Sequence, residues 1–381
     1  METTAITRRA YRDTALTIPL LGFGMMRLPE LSADRPDIDY DRAAQMFDTA
    51  IQAGCNYFDT AYMYHDGKSE TCCGDLLSAY PRESLYLADK MPVWQAKTPD
   101  GVRRIFEEQL AKTRAGYFDF YLLHALDAGK WRTVQEIGAL DYLLERKREG
   151  LIRHLGFSFH DSPEALRVIA DAHDWDFAQI QLNYLDWDGP YRSREQYELL
   201  TERNIPVIVM EPVRGGALAQ PDEQARRILQ EATPDASPAS WALRFAASLP
   251  NVLTVLSGMS DEAQLADNLR TFSPLRPLDG GERETLALAL AALQKTLAVP
   301  CTGCRYCLPC SVGVSIPEMF ALYNRFRAAG DHDAFRARYQ ALPGTARAEA
   351  CVACGQCLER CPQHLDIPAH LAEVAKAVCQ A

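Results

Sequence analysis

Long hydrophobic runs are missing from this 381-residue chain. Its most apolar stretch, ETLALALAALQKTLAVP, is short and broken by Lys295. It reads as a helix on a core, since a membrane span needs about 20 apolar residues. The opening METTAITRRAYRDTALTIPLLGFG carries no apolar core ahead of a cleavage site, so a cytoplasmic protein is expected. Positive charge is also scarce. Forty Lys and Arg against 51 Asp and Glu leave a formal net charge of −11. Nucleic-acid binders carry a basic patch, so that class is set aside. Pro/Gly-rich and low-complexity stretches are lacking, and nothing in the composition points to disorder. An apolar content of 48% is enough to pack one large domain and a small one at this length.

Cysteine is where the sequence is rich. Twelve are present, and eight of them crowd into CTGCRYCLPCS (301–311) and CVACGQCLERCP (351–362). Disulfides are not expected in the cytoplasm, so the runs point to metal. The second run, Cys351, Cys354, Cys357, Cys361 and Pro362, has the C-x2-C-x2-C-x3-C-P spacing of bacterial ferredoxins, in which the fourth cysteine serves the other cluster. The first run, Cys301, Cys304, Cys307 and Cys310, has only two residues before its fourth cysteine, and Ser311 stands in place of proline. Two 4Fe–4S clusters are expected. Cys301, Cys304, Cys307 and Cys361 hold one; Cys351, Cys354, Cys357 and Cys310 hold the other. The competing reading is structural zinc on paired C-x2-C units. Cys55, Cys72, Cys73 and Cys379 are scattered and read as buried or incidental.

Ahead of these runs, eight short apolar segments alternate with longer amphipathic ones. The segments are 20–24, 56–60, 85–91, 118–124, 154–160, 177–184, 206–212 and 252–258. Alternating strands and helices imply a parallel sheet. Eight strands over ~250 residues match a (β/α)8 TIM barrel, with an open doubly wound sheet as the rival. Strand-like runs stop after about residue 285. The expected domains are a barrel at 1–285 and a small, mainly helical ferredoxin-like iron–sulfur domain at 286–381.

Asp59, Lys90 and His124 end the second, third and fourth segments, and Tyr64 follows Asp59 by five residues. In a barrel these strand ends are neighbours on the face that carries active sites. Taken singly, Asp59 reads as a helix cap, Lys90 as a solvated strand end, His124 as a bonded core residue and Tyr64 as loop packing. Together they form a proton-transfer set. An ammonium beside a phenol favours the phenolate, and Asp59 would hold Lys90 by a charge-assisted bond. His124 would orient a carbonyl oxygen that Tyr64 protonates.

The segments FDTAYMYHDGKSE, DKM, YLLH, IRHLGFSFH, QLNYLD, VMEPVRGG and SGMSDEAQLADN resemble the aldo/keto reductases. More narrowly, they are similar to the branch with a C-terminal ferredoxin-like extension. The resemblance runs in register over essentially the whole chain. It implies a (β/α)8 barrel, NADPH-dependent reduction of a small carbonyl substrate, and roles for Asp59, Tyr64 (the acid), Lys90 and His124. It also implies a dinucleotide stretched across the barrel mouth, and GFGMMR lacks the third glycine of a Rossmann fingerprint. By resemblance Gly24 and Met25 line the nicotinamide end, and Ser158 and Gln181 bond its carboxamide. Phe159 stands where the family often has Asn, and Met210 where it often stacks a tyrosine. Met210, Glu211, Val213, Arg214 and Gly215 would pass the ribose and pyrophosphate. Ser257, Gly258, Met259 and Ser260 form an expected phosphate cradle at a helix start, with a plain βα turn as the alternative. Gln264 falls where NADPH users place an arginine, and Asn268 falls near the adenine. NADPH is therefore expected by family, with NADH as the alternative.

A hydride carries two electrons and a 4Fe–4S cluster moves one, so coupling them usually needs a flavin or quinone. The sequence shows no convincing flavin site. Three readings stay open: electron exchange with a redox partner protein, bracing of the tail, or a ferredoxin-like electron carrier on a non-catalytic barrel scaffold.

Overall fold

Eight parallel strands pair in chain order and close on themselves, β8 against β1. They are β1 (Leu21–Gly24), β2 (Tyr57–Asp59), β3 (Tyr86–Met91), β4 (Phe118–Leu126), β5 (Ile152–Phe159), β6 (Phe177–Gln181), β7 (Val207–Met210) and β8 (Val252–Gly258). This computed structural model describes residues 5–32 and 35–380. Each strand falls on one of the eight expected segments. Strands covered on both faces read as continuous apolar runs, which is why the segments stood out.

The barrel unit comprises Met1–Pro212 and Ala242–Leu278. Its helices start and stop by local chemistry. The Asp39 side chain accepts the Arg42 N–H to start Tyr40–Gln52, and the chain turns at Gly54 with φ 90°. Thr98 caps Pro99–Thr113, which ends at Arg114 in the left-handed region. An antiparallel pair, Arg8–Ala10 with Thr17–Pro19, was not anticipated. Tyr11, from its connecting turn, and Ile18 join Tyr57, Phe120, Phe177 and Ile208 in one buried cluster. Strand-start residues such as Tyr57 and Phe177 thus fill the amino-terminal end of the barrel, opposite the end where Asp59, Lys90 and His124 lie.

The second unit comprises Val213–Trp241 and Asp279–Ala381. Helix Glu223–Ala232 packs on helix Gly280–Thr296, which Asp279 and Glu282 start with a reciprocal capping box. Helices Ile316–Ala329, His332–Ala341 and Ile367–Gln380 enclose a core of Val299, Met319, Phe320, Phe335 and Leu371, against which Cys301, Cys307, Cys310, Cys351, Cys357 and Cys361 pack. The division expected at 285/286 falls within helix Gly280–Thr296. The unit also recruits the segment that follows β7. A discontinuous unit leaves no composition change at one point along the chain.

Candidate active site

Three strand ends and one loop place the catalytic candidates together. Lys90 Nζ donates to Asp59 Oδ1 at 2.6 Å, to the Thr60 carbonyl at 2.7 Å and to the Tyr64 hydroxyl at 3.4 Å. The Tyr64 and His124 rings lie edge to face, 6.3 Å between centroids. Lys90 is fully buried, and Asp59, His124 and Tyr64 are buried around it. The turn Tyr64–Gly67 is pinned because His65 Nε2 accepts the Leu28 N–H. Trp94 faces His124, with centroids 5.2 Å apart.

Burial governs the charges here. It pushes the Asp59 carboxyl above its usual range, and the Lys90 ammonium opposes that shift. It drives the His124 imidazole well below its usual range, helped by the Lys90 charge. A neutral His124 therefore faces Tyr64, able to donate one ring N–H rather than compete as a second cation.

The expected carboxamide pair sits one and two strands further round. Ser158 Oγ accepts the Ala125 N–H at 2.7 Å. Gln181 Nε2 donates to Asp186 Oδ2, which also accepts from Asn183 Nδ2, both at 2.7 Å. Sequence reasoning missed this Asn183–Asp186 clamp. Asn183 also donates to the Glu211 carbonyl at 3.1 Å, where Glu211 holds a left-handed backbone with φ 55°. Met210 Sδ accepts from Gln179 Nε2 at 3.6 Å.

At the expected cradle Gly24 pairs with Gly258 and with Asp59, which joins the β8 end to the carboxyl end of β2. Met25 and Met259 are fully buried, so the backbone is what they can offer a ligand. The Ser260 N–H is taken by Gln264 Oε1 at 2.9 Å, and Asn268 Nδ2 donates to Ser257 Oγ at 2.9 Å. Arg27, which was not anticipated, lays its stem 3.2 Å from where a Gly258 Cβ would sit, and its carbonyl accepts from Ser260 Oγ. A basic residue two past GFGM was the only signal for it.

Val213, Arg214 and Gly215, expected beside ribose and pyrophosphate, belong to the second unit. Within that unit Arg214 donates to the Pro300 carbonyl at 2.7 Å and to Gln363 Oε1 at 3.4 Å. Its guanidinium thus holds both ends of the cysteine-bearing region.

The two cysteine runs fold alike. Gly303 N–H points to Cys301 Sγ at 3.3 Å, and Ala353 N–H to Cys351 Sγ at 3.4 Å. Positive φ recurs at Gly303 and Arg305, and at Ala353 and Gly355. Burial pushes the Cys307 thiol up to about 12, with Cys304, Cys301 and Cys361 adding to it. Cys357 rises through burial and through Cys351, Cys354 and Cys310. Cys307 thus has Cys301, Cys304 and Cys361 as neighbours, and Cys357 has Cys351, Cys354 and Cys310, a donor set of the kind that holds iron–sulfur cubanes. A cubane binds each thiolate to its own iron, and no three His, Cys, Asp or Glu among the described residues converge on a single ion. A cavity of about 750 Å³ in this unit is lined by Arg214, Arg226, Cys301, Thr302 and Arg325, among others. Of the remaining thiols, Cys55, Cys72 and Cys73 are buried and Cys379 is exposed.

Known proteins share these features. Residues 20–282 match the model of the Aldo/keto reductase family, and residues 300–365 match a 4Fe-4S dicluster domain. An uncharacterized oxidoreductase, YqkF of Bacillus subtilis (strain 168), is 25% identical over 301 residues, covering 71% of this chain and 92% of that protein. The L-galactose dehydrogenase of Arabidopsis thaliana is 25% identical over 317 residues, covering 76% of this chain and 95% of that protein. Among solved structures, the holo form of the aldo-keto reductase AKR11C1 from Bacillus halodurans superposes with a TM-score of 0.62 at 25% identity, covering 74% of this chain and 96% of that one. A Klebsiella pneumoniae aldo-keto reductase in complex with NADPH gives 0.58 at 20% identity, covering 71% and 90%. With a closed parallel barrel, a lysine bonded to aspartate and tyrosine at its carboxyl end, and a family match over most of its length, this oxidoreductase belongs to the aldo/keto reductase family.

Proposed function

We propose that the barrel reduces an aldehyde or ketone with a nicotinamide dinucleotide, NADPH by preference. The bond from Lys90 Nζ to both Asp59 and Tyr64 carries this reading. When bound, the nicotinamide supplies a hydride to the carbonyl carbon. Tyr64 gives its hydroxyl proton to the carbonyl oxygen. Lys90 steadies the phenolate left behind, and Asp59 holds the ammonium in place. Neutral His124 donates a hydrogen bond that orients the same oxygen. Trp94, against His124, shields the site from water. Hydride and proton together give the alcohol, so electrons and atoms balance without the clusters.

Ser158 and Gln181 remain the proposed carboxamide partners. Gly24, Met25, Met210 and Glu211 are the proposed nicotinamide and ribose wall. The amides of Gly258 to Ser260, with Arg27 beside them, are the proposed phosphate site. A phosphate there would take the Ser260 N–H from Gln264.

The second unit would hold two 4Fe–4S clusters that exchange single electrons with a redox protein. Exposed Cys354, flanked by Val352 (63% exposed) and Leu358 (41% exposed), supports access from outside. The test is one anaerobically prepared sample assayed with NADPH and with NADH against a carbonyl panel. Turnover that survives Tyr64→Phe refutes the catalytic reading. Absence of any nicotinamide-dependent turnover favours a carrier.

A further inference from the structure

Lys90 is the hub of the proposed chemistry, and its peptide is held in an unusual way. Strand β2 ends at Asp59, paired with Ala88, and the Thr60 N–H bonds the Ala88 carbonyl at 3.0 Å. Backbone groups two residues apart on a strand face the same neighbour. The N–H and C=O of Lys90 therefore point toward β2 just past the place where β2 stops. Buried ladder groups must find other partners.

Two side chains supply them, Asp89 from the strand itself and Gln109 from helix Pro99–Thr113. Asp89 Oδ1 accepts the Lys90 N–H at 2.8 Å. Gln109 Nε2 donates to the Lys90 carbonyl at 3.0 Å and to Glu70 Oε1 at 2.9 Å. Tyr121 donates to Gln109 Oε1, and Lys112 Nζ meets Glu70 Oε2 at 2.9 Å. Glu70, Asp89, Gln109 and Tyr121 are fully buried. Helices Ser69–Leu77 and Pro99–Thr113 thus grip the strand residue whose side chain points the other way, into the site.

We propose that Asp89, Gln109 and Glu70 are positioning residues that anchor the Lys90 peptide and so aim its ammonium at Asp59 and Tyr64. The inference rests on the reading of Lys90 and Tyr64 as catalytic. Two buried carboxyls, Glu70 and Asp89, lie near each other, and the partly exposed Lys112 pairs with Glu70. Burial and the Glu70 charge push the Asp89 carboxyl well above its usual range. Its second oxygen, Oδ2, is buried with no hydrogen-bond partner, which a neutral acid tolerates better than a carboxylate. The other titratable groups around Asp89 are Lys90, Asp59, Cys73 and Tyr121. A neutral Asp89 still accepts the Lys90 N–H, and so would an amide.

The experiment compares Asp89→Leu, Gln109→Leu and Asp89→Asn with Lys90→Met and Tyr64→Phe in the full chain. It reads kcat, KM for NADPH and an ultraviolet tyrosinate titration of Tyr64, obtained by difference against the matching Tyr64→Phe protein. Asp89→Leu and Gln109→Leu should lower kcat about tenfold or more through misplacement of the ammonium. KM for NADPH should stay unchanged. The Tyr64 titration should move up as the cation withdraws. Asp89→Asn should restore most of what Asp89→Leu loses. If Asp89→Leu does not fold, Gln109→Leu and Asp89→Asn decide the matter. Wild-type kcat and titration in Gln109→Leu, or equal loss in Asp89→Asn and Asp89→Leu, overturn the anchor alone if Lys90→Met and Tyr64→Phe are inactive. Full activity in Lys90→Met and Tyr64→Phe overturns the underlying reading, and the anchor with it.

Discussion

Lys90 and Asp59 are a buried ion pair, and such pairs are costly to break from one side. Asp59→Ala leaves an ammonium without its counter-charge and should destabilise the barrel by about 3–5 kcal/mol, readable as a drop in the urea midpoint. Tyr64→Phe removes one exchangeable proton and little volume. It should cost about 10²–10⁴ in kcat/KM, with the fold intact by circular dichroism. His124 adds a pH signature. Its folded imidazole titrates well below the usual range because it is buried beside Lys90, whereas the unfolded one takes a proton near about 6.5. Below that pH the unfolded chain binds the extra proton, so stability falls as pH drops through the ordinary imidazole range. Urea midpoints at neutral and mildly acid pH should diverge in the wild type, and the gap should shrink in His124→Gln.

The turn after β7 shows how one glycine can fix the course of an element. Gly215 has φ 63°, and a Cβ there would lie 1.8 Å from the Thr302 carbonyl, next to Cys301. Any side chain must push the first cysteine run aside, and the left-handed backbone alone costs about 1–2 kcal/mol. Gly215→Ala should lower the iron bound per chain and the melting temperature, with metal analysis as the check. Arg214, bonded to Pro300 and Gln363, braces the same region. The pyrophosphate contact expected of this turn rests on family resemblance, and these bonds describe its packing within the second unit.

For the molecule as a whole, the grouping of thiols makes a claim about metal content. If Cys361 serves the first run and Cys310 the second, Cys361→Ser should deplete the first-run cluster and Cys310→Ser the other. Each should lower iron and sulfide from about eight per chain toward half, and Cys379→Ser should change neither. Iron and sulfide assay with electron paramagnetic resonance of the reduced protein checks this. The proposed hydride transfer balances without the clusters. Dithionite should therefore bleach them, and NADPH alone should not.

Much of this protein was legible in one dimension. Eight buried parallel strands must be apolar runs, so their positions stood out. A barrel makes successive strand ends neighbours, so Asp59, Lys90 and His124 could be grouped before any coordinates, and cysteine spacing limited which thiols could share a cubane. Tertiary structure decided what depends on convergence. Glu70, Asp89, Gln109 and Tyr121 come from two helices and two strands, with no spacing rule linking them. Gln264 occupies the Ser260 amide, and Val213–Trp241 joins the second unit across a sequence gap. Local pattern records which face of an element is buried. Which distant side chain meets an unpaired backbone group is set only when the elements pack.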